Sequence, residues 1–410
     1  MTCNRLAAPC LALLLVVTAG PWVSAETPEP RPKRLLLATE GRGYLEIVDG
    51  YRVLHLAGTP EEMGCQHGRL LKEAVAANCT HLLAGDGKGL DPLWRGLAGG
   101  ILNAVFRGQV PDRFLREMKG LADGAGLSFD SVLACNLIPE LFHCSGFALL
   151  SKATATGDLY HGRVLDYGVD LRLQDHAVLI IQEPEGRQPF VNVSYAGFIG
   201  SVTGMNTAGI SIGEMGGGGV GQWRGVPMSL LVRTVLEDAR SLRQAVAVFK
   251  DNPRTCEYYY VIADAQADTA VGLWATPEKL VRIGPGERHE RLPDPVEHAV
   301  VLSAGDRYHR LVERVRDGFG TFTEEKAVRL MDGPVAMKSN LHDALMVPGR
   351  GVLYVANAAQ DGAPAWKQTY HRFDIRRLMK ERPERRAPAV RSDGIGPAER
   401  IRLAAKAVLR

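Results

Sequence analysis

Apolar positions recur at helical spacing along Pro111 to Ala125, where Phe114, Leu115, Met118, Leu121 and Ala122 fall on one side of a helix. A second helix is predicted to open at Thr59-Pro60-Glu61-Glu62, with Thr59 as N-cap, Pro60 as first helical residue and Glu62 closing a capping box. The stretch before residue 140 therefore reads as mainly helical. Residues 26 to 40, with Pro28, Pro30 and Pro32, read as a flexible lead-in. After residue 144 the texture changes. Cys144 to Lys152 and Leu159 to Tyr167 read as strands, joined into a hairpin through Thr154-Ala155-Thr156-Gly157-Asp158. Further strands are expected at Ala177 to Gln182, Phe190 to Tyr195, Ser201 to Met205, Ile210 to Gly213, Tyr258 to Ala263, Ala270 to Trp274 and Gly351 to Ala356. One long helical stretch covers Met228 to Phe249, with an internal capping box at Ser241 and Gln244. Strands, then helix, then strands again indicate an α+β protein of stacked sheets with helices outside. From Arg376 onward the chain is rich in Arg and Pro and reads as a solvated basic tail (376–410), with contact to an anionic surface as the second reading.

Composition adds bounds rather than function. The 410 residues suffice for one large domain or two ordinary ones, and 46% apolar with 23% charged residues is an ordinary globular balance. A formal net charge of +3 gives no reason to invoke nucleic acid. The first 25 residues read as a signal peptide: Arg5, an apolar run from Leu11 to Ala19, then the small residues of Val23-Ser24-Ala25. No later segment supplies the roughly 20 apolar residues of a spanning helix, so a secreted or periplasmic protein is expected. Beyond residue 25 there are five cysteines, Cys65, Cys79, Cys135, Cys144 and Cys256. An odd number allows a free Cys144 with the other four paired, or several buried thiols, and the count does not choose.

The chemistry concentrates in Cys144-Ser145-Gly146-Phe147-Ala148 and, across the hairpin, His161-Gly162-Arg163-Val164-Leu165-Asp166-Tyr167. The hairpin returns its second strand to the level where the first begins, bringing Arg163 and Asp166 towards Cys144. Residues three apart face opposite sides of a regular strand, so both serve one site only if the strand ends or bulges near residue 165. A thiol is mostly protonated at neutral pH, and a neighbouring guanidinium favours the thiolate. Were Cys144 the first residue of a chain, its own α-amine could take the thiol proton, with no histidine required. His309, His342 and His371 are too scattered for a metal site, and Gly216 to Gly219 lack the Lys-Ser or Lys-Thr of a phosphate loop. No cofactor is implied.

The Cys-Ser start, the turn and His-Gly-Arg-x-Leu-Asp-Tyr resemble the acyl-coenzyme A:6-aminopenicillanic-acid acyltransferase-like family of N-terminal-nucleophile (Ntn) cysteine hydrolases. Three further segments share the resemblance. They are Gly58-Thr59-Pro60-Glu61-Glu62-Met63-Gly64 with Gln66-His67-Gly68, then Glu117 to Gly126, then Gly204-Met205-Asn206-Thr207-Ala208-Gly209-Ile210. The resemblance implies a four-layer αββα sandwich with a helical N-terminal segment. It also implies self-cleavage between His143 and Cys144 into an α chain (26–143) and a β chain whose catalytic domain spans 144–375, the two remaining associated. Cys144 matches the family nucleophile, and Arg163 and Asp166 match the Arg and Asp beside it. The implied activity is hydrolysis, or acyl transfer, of a linear amide in a small N-acyl compound. An ester or lipid hydrolase and a catalytically silent secreted binding protein are the alternatives. Leu302-Ser303-Ala304-Gly305-Asp306 stands where many relatives carry Thr-Asn-His, whose asparagine donates to the oxyanion; no oxyanion residue is assigned here.

Overall fold

The computed structural model describes residues 32–84, 108–137, 143–219 and 221–384. The expected signal peptide (1–25) and the far part of the basic tail (385–410) lie outside them. The described chain opens with an antiparallel meander of β1 (Arg34–Glu40), β2 (Gly43–Val48) and β3 (Tyr51–Gly58). This corrects the sequence expectation at one point, because the lead-in becomes a strand at Arg34; three strands precede the helices that hold most of the described residues before position 138. β1 is an edge strand buried fully only at Leu35, so it lacks the alternation by which a half-buried strand is recognised.

Helices follow: α1 (Pro60–Leu70), α2 (Lys72–Ala84), α3 (Asp112–Ala125) and α4 (Phe129–Leu137). The capping box at α1 forms, with Glu62 N–H on Thr59 Oγ1 and Thr59 N–H on the Glu62 carboxylate. α1 and α3 pack backbone to backbone. A Cβ on Gly64 would lie 2.0 Å from the carbonyl oxygen of Glu117, and one on Gly120 would lie 2.3 Å from that of Glu61.

The strands that carry the site come next. They are β4 (His143–Leu149), β5 (Tyr160–Asp166), β6 (Ala177–Pro184), β7 (Phe190–Tyr195), β8 (Thr203–Asn206) and β9 (Ile210–Gly216). The single long helix expected from Met228 divides into α5 (Met228–Asp238) and α6 (Leu242–Asp251). Ala239 is extended, and the Ser241 hydroxyl accepts from Gln244 N–H to start a new helix. The remaining elements are β10 (Tyr258–Asp264), β11 (Thr269–Ala275), β12 (Leu280–Ile283), β13 (Ala299–Leu302), α7 (Asp306–Asp317), α8 (Glu324–Val328), β14 (Asn340–Val347), β15 (Val352–Asn357), β16 (His371–Asp374) and α9 (Ile375–Lys380). Asp374 caps α9 through Arg377 N–H, and Ile375 and Leu378 are buried, so the basic tail begins after this helix rather than at residue 376.

Ten strands form one sheet in the order β1-β2-β3-β6-β7-β8-β9-β10-β11-β12, and six form a second in the order β13-β4-β5-β14-β15-β16. Neighbours are antiparallel except β3 and β6. The sheets stack face to face: Val53, Leu179, Val191 and Met205 of the larger meet Met346, Leu353 and Phe373 of the smaller in one apolar cluster. α1, α5 and α6 pack on the larger sheet, and α7, α8 and α9 on the smaller. The molecule is an α+β, four-layer αββα sandwich. The boundary drawn at residues 143 and 144 is crossed by the larger sheet, since β3 pairs with β6 along Val53–Gly58.

Candidate active site

β4 and β5 pair in unbroken register, with Cys144 opposite Leu165, Gly146 opposite Arg163 and His143 opposite Asp166. Arg163 is thus the diagonal neighbour of Cys144 on the face turned towards the larger sheet. Its Nη2 donates to Cys144 Sγ at 3.2 Å, to the Glu214 carbonyl at 2.7 Å and to Glu214 Oε2 at 3.3 Å. Gly213 on β9 makes room for this side chain, because a Cβ there would stand 2.6 Å from Arg163 Cγ. Arg163 is fully buried, and its Nε and Nη1 meet no acceptor among the described residues.

Asp166 ends β5 on the opposite face, and no bulge interrupts the strand before it. It belongs to the same site by a different route. Its carboxylate stands level with the His143–Cys144 peptide, accepting Met337 N–H at 3.0 Å and Arg307 Nη1 at 2.5 Å. Arg307 Nη2 lies 3.5 Å from the Cys144 carbonyl oxygen. Arg163 therefore addresses the sulfur, while Asp166 and Arg307 flank the backbone of the same residue.

Burial pushes the Cys144 thiol up to about 11; the Arg163 guanidinium pulls it back, and the carboxylates of Glu214 and Asp166 add to the rise. Burial likewise raises Asp166, against the pull of Met337 N–H and Arg307. With its α-amine held in the peptide to His143, the cysteine is a protonated, poorly nucleophilic thiol at neutral pH.

Above Cys144 opens a cavity of about 350 Å³. Met215, Ile283, Leu292 and Leu302 make it apolar, while Tyr259, Arg291 and Arg307 supply polar groups. Ser303 touches the cavity, yet its hydroxyl is bonded to Ser145 Oγ at 2.7 Å, and Ser145 alternates away from Cys144 along β4. Among the described residues no group of three potential metal ligands gathers. His342 is held between the sheets by the hydroxyls of Tyr195 and Thr203. Cys65, Cys79, Cys135 and Cys144 are free thiols, so the four-paired arrangement allowed by the cysteine count does not describe this molecule.

Sequence reasoning missed two residues of the site, each by one position. It stopped at Met215-Gly216, next to Glu214, and at Asp306, next to Arg307. A signal for the first was present, since Glu214 interrupts the apolar strand β9 and is buried, as an isolated surface carboxylate would not be. Arg307 gives no such sign, because α7 is rich in arginine throughout.

The sequence is similar to several known proteins. Residues 154–289 match the family model described as acyl-coenzyme A:6-aminopenicillanic acid acyl-transferase. The match covers about a third of the chain and includes Arg163 and Asp166. A 30% identical, uncharacterised protein of Archaeoglobus fulgidus aligns over 62% of this chain and 47% of its own length. The N-acylethanolamine-hydrolyzing acid amidase of Mus musculus is 27% identical over 62% of this chain and 66% of its own. The structure of the Caenorhabditis elegans ortholog of that amidase covers 50% of this chain and 93% of its own, at 18% identity and a TM-score of 0.40. The chain spans about half the length of the first curated relatives it matches. The sequence is thus similar to proteins described as an acyl-transferase and as an acid amidase. No helix among the described residues is long and apolar enough to cross a membrane.

Proposed function

We propose that this protein is an autoproteolytic cysteine amidase or acyltransferase that acts on the linear amide of a small N-acyl compound. The observation that carries the reading is one residue with two partners: the Cys144 sulfur 3.2 Å from Arg163, and its backbone flanked by Asp166 and Arg307. In the maturation step Cys144 Sγ attacks the carbonyl carbon of His143. The C–N bond breaks as the nitrogen takes the proton given up by the thiol and becomes a free amine, and water hydrolyses the resulting thioester, releasing the His143 carboxylate and the Cys144 thiol. The new α-amine, with a pKa near ~8, then takes the thiol proton in each turnover. The thiolate attacks the substrate carbonyl, the ammonium returns the proton to the leaving amine, and water or a second amine discharges the acyl-enzyme. Arg163 favours the thiolate, and Asp166 holds the ammonium. Secretion or a periplasmic place, with the signal removed near Ala25, belongs to the same proposal and rests on the leader's pattern.

Intact-mass measurement tests the scheme. The purified protein should show one chain ending at His143 and another beginning with Cys144, and Cys144→Ala should stay a single chain. Normal cutting of that variant would falsify the mechanism. A silent binding protein is the second reading, favoured by the commitment of the Ser303 hydroxyl to Ser145 where relatives place an asparagine. A cut protein that turns over neither amides nor esters would favour it.

A further inference from the structure

One wall of the cavity is built differently from the rest. Directly opposed residues of an antiparallel sheet share a face, and the register places Met215 opposite Tyr259 and Tyr259 opposite Trp274. This row leaves the nucleophile at Met215, which packs beside Gly146 of β4, and ends two strands away, roughly 10 Å along the sheet. Arg291 lies at that end. Its guanidinium rests over the Trp274 ring at 4.5 Å, and its Nη1 donates to Glu257 Oε1 at 2.6 Å and to the Tyr259 hydroxyl. Glu257 is held in turn by Trp274 Nε1 at 2.7 Å and Tyr259 Oη at 2.8 Å.

An arginine whose side chain is 47% exposed normally samples many rotamers. Here one nitrogen and one face are tied down, which fixes the plane. The remaining edge, Nε with Nη2, meets no acceptor among the described residues, and it is the edge that receives a carboxylate bidentately. Cys144 and Arg291 line one cavity, whose apolar lining comes from Met215, Ile283, Leu292 and Leu302.

We propose that Arg291 is a specificity-determining residue that receives a carboxylate at the far end of the substrate. The substrate class is a linear amide with an apolar spacer and a terminal carboxylate, the row from Met215 to Trp274 spanning two strand spacings, roughly 10 Å. This deepens the hydrolase reading, which supplies the position of the scissile bond at Cys144.

The test compares the p-nitroanilide of octanoic acid with the mono-p-nitroanilide of octanedioic acid, two chains of equal length differing in the terminal carboxylate. Wild-type kcat/KM should favour the octanedioyl substrate by about tenfold or more, carried in KM. Arg291→Gln should abolish that preference, while Arg291→Lys should restore part of it, since lysine supplies the charge without the fork. The mono-p-nitroanilide of butanedioic acid, too short to span the row, should show no Arg291 dependence. Indifference of the wild type to the carboxylate, or equal loss on both substrates in Arg291→Gln, would overturn the assignment. Calorimetric titration of Cys144→Ala with the two eight-carbon probes separates the two claims. Tighter binding of the acid without turnover by wild type would keep the Arg291 site and sink the hydrolase. Equal binding, or none of either, rejects the site whatever the chemistry.

Discussion

A buried carboxyl can be protected from ionising as effectively as a buried thiol, and the smaller sheet contains one. Asp343 on β14 lies fully buried between Asn340 Nδ2 and the Tyr370 hydroxyl, each 2.9 Å away. Burial pushes it up to about 8, from an ordinary value of 3.8, despite both hydrogen bonds. The folded protein keeps this proton where the unfolded chain has released it. Its contribution to stability is therefore complete below the unfolded value and is lost as pH rises through the folded one. Urea midpoints of the wild type should fall between pH 5 and pH 8, and Asp343→Asn, which cannot ionise, should fall less. Parallel declines in the two proteins would count against this. Asn340 also donates to the Leu165 carbonyl, so the same group supports the strand that presents Asp166. Nothing in the local sequence Asn-Leu-His-Asp-Ala-Leu-Met announced a protonated acid; only the layers on both sides of β14 create it.

At the scale of elements, local rules decided most of what was read correctly. The capping box at Thr59, the amphipathic α3 and the β4–β5 hairpin depend on residues within a few positions of one another, and each formed where its pattern lay. β1, β2, β3, β12, β13, β14 and β16 went unread, and for β13 and β14 the reason is that they are placed by β4 and β5, neighbours distant in the chain. The α1–α3 contact shows how tightly distance in sequence can be closed. Gly64→Ala places a methyl group against the Glu117 carbonyl, and the helices must part, at a cost of about 3 kcal/mol by the upper range for overpacking. Gly108→Ala, with open space around it, serves as the control and should leave the midpoint of thermal unfolding unchanged. Equal effects from both would show that the close approach carries no such cost.

For the whole molecule, the site is assembled from both sheets. Cys144, Arg163 and Asp166 come from one hairpin, Glu214 from the facing sheet and Arg307 from the helix after the edge strand. The two chains expected from cleavage would be joined by the β3–β6 ladder and by the bidentate pair of Glu117 with Arg233, at 2.8 and 2.6 Å, both side chains almost fully buried. They should co-elute in native buffer and separate only in denaturant. Glu117→Gln leaves Arg233 buried with Glu237 as its remaining carboxylate and should lower stability by roughly 3 kcal/mol, the low end for breaking a buried pair. Separation of the wild-type chains without denaturant would refute the interleaved architecture as their bond. The hairpin trio was legible because one turn joins it; Glu214 and Arg307 were not, because no spacing in the chain records which strand will face Cys144.

By itself, the sequence determined the layered α+β class, the hairpin and the identity of a thiol, guanidinium and carboxylate within one short span, since helical periodicity, strand alternation and turns act over a few residues. The tertiary structure alone decided which faces those side chains would take, that Asp166 addresses the backbone rather than the sulfur of Cys144, and that an arginine two strands away borders the same cavity. The reason is physical: burial, charge pairing and shape belong to residues brought together by sheet stacking, and their separation along the chain sets no limit on how closely they meet.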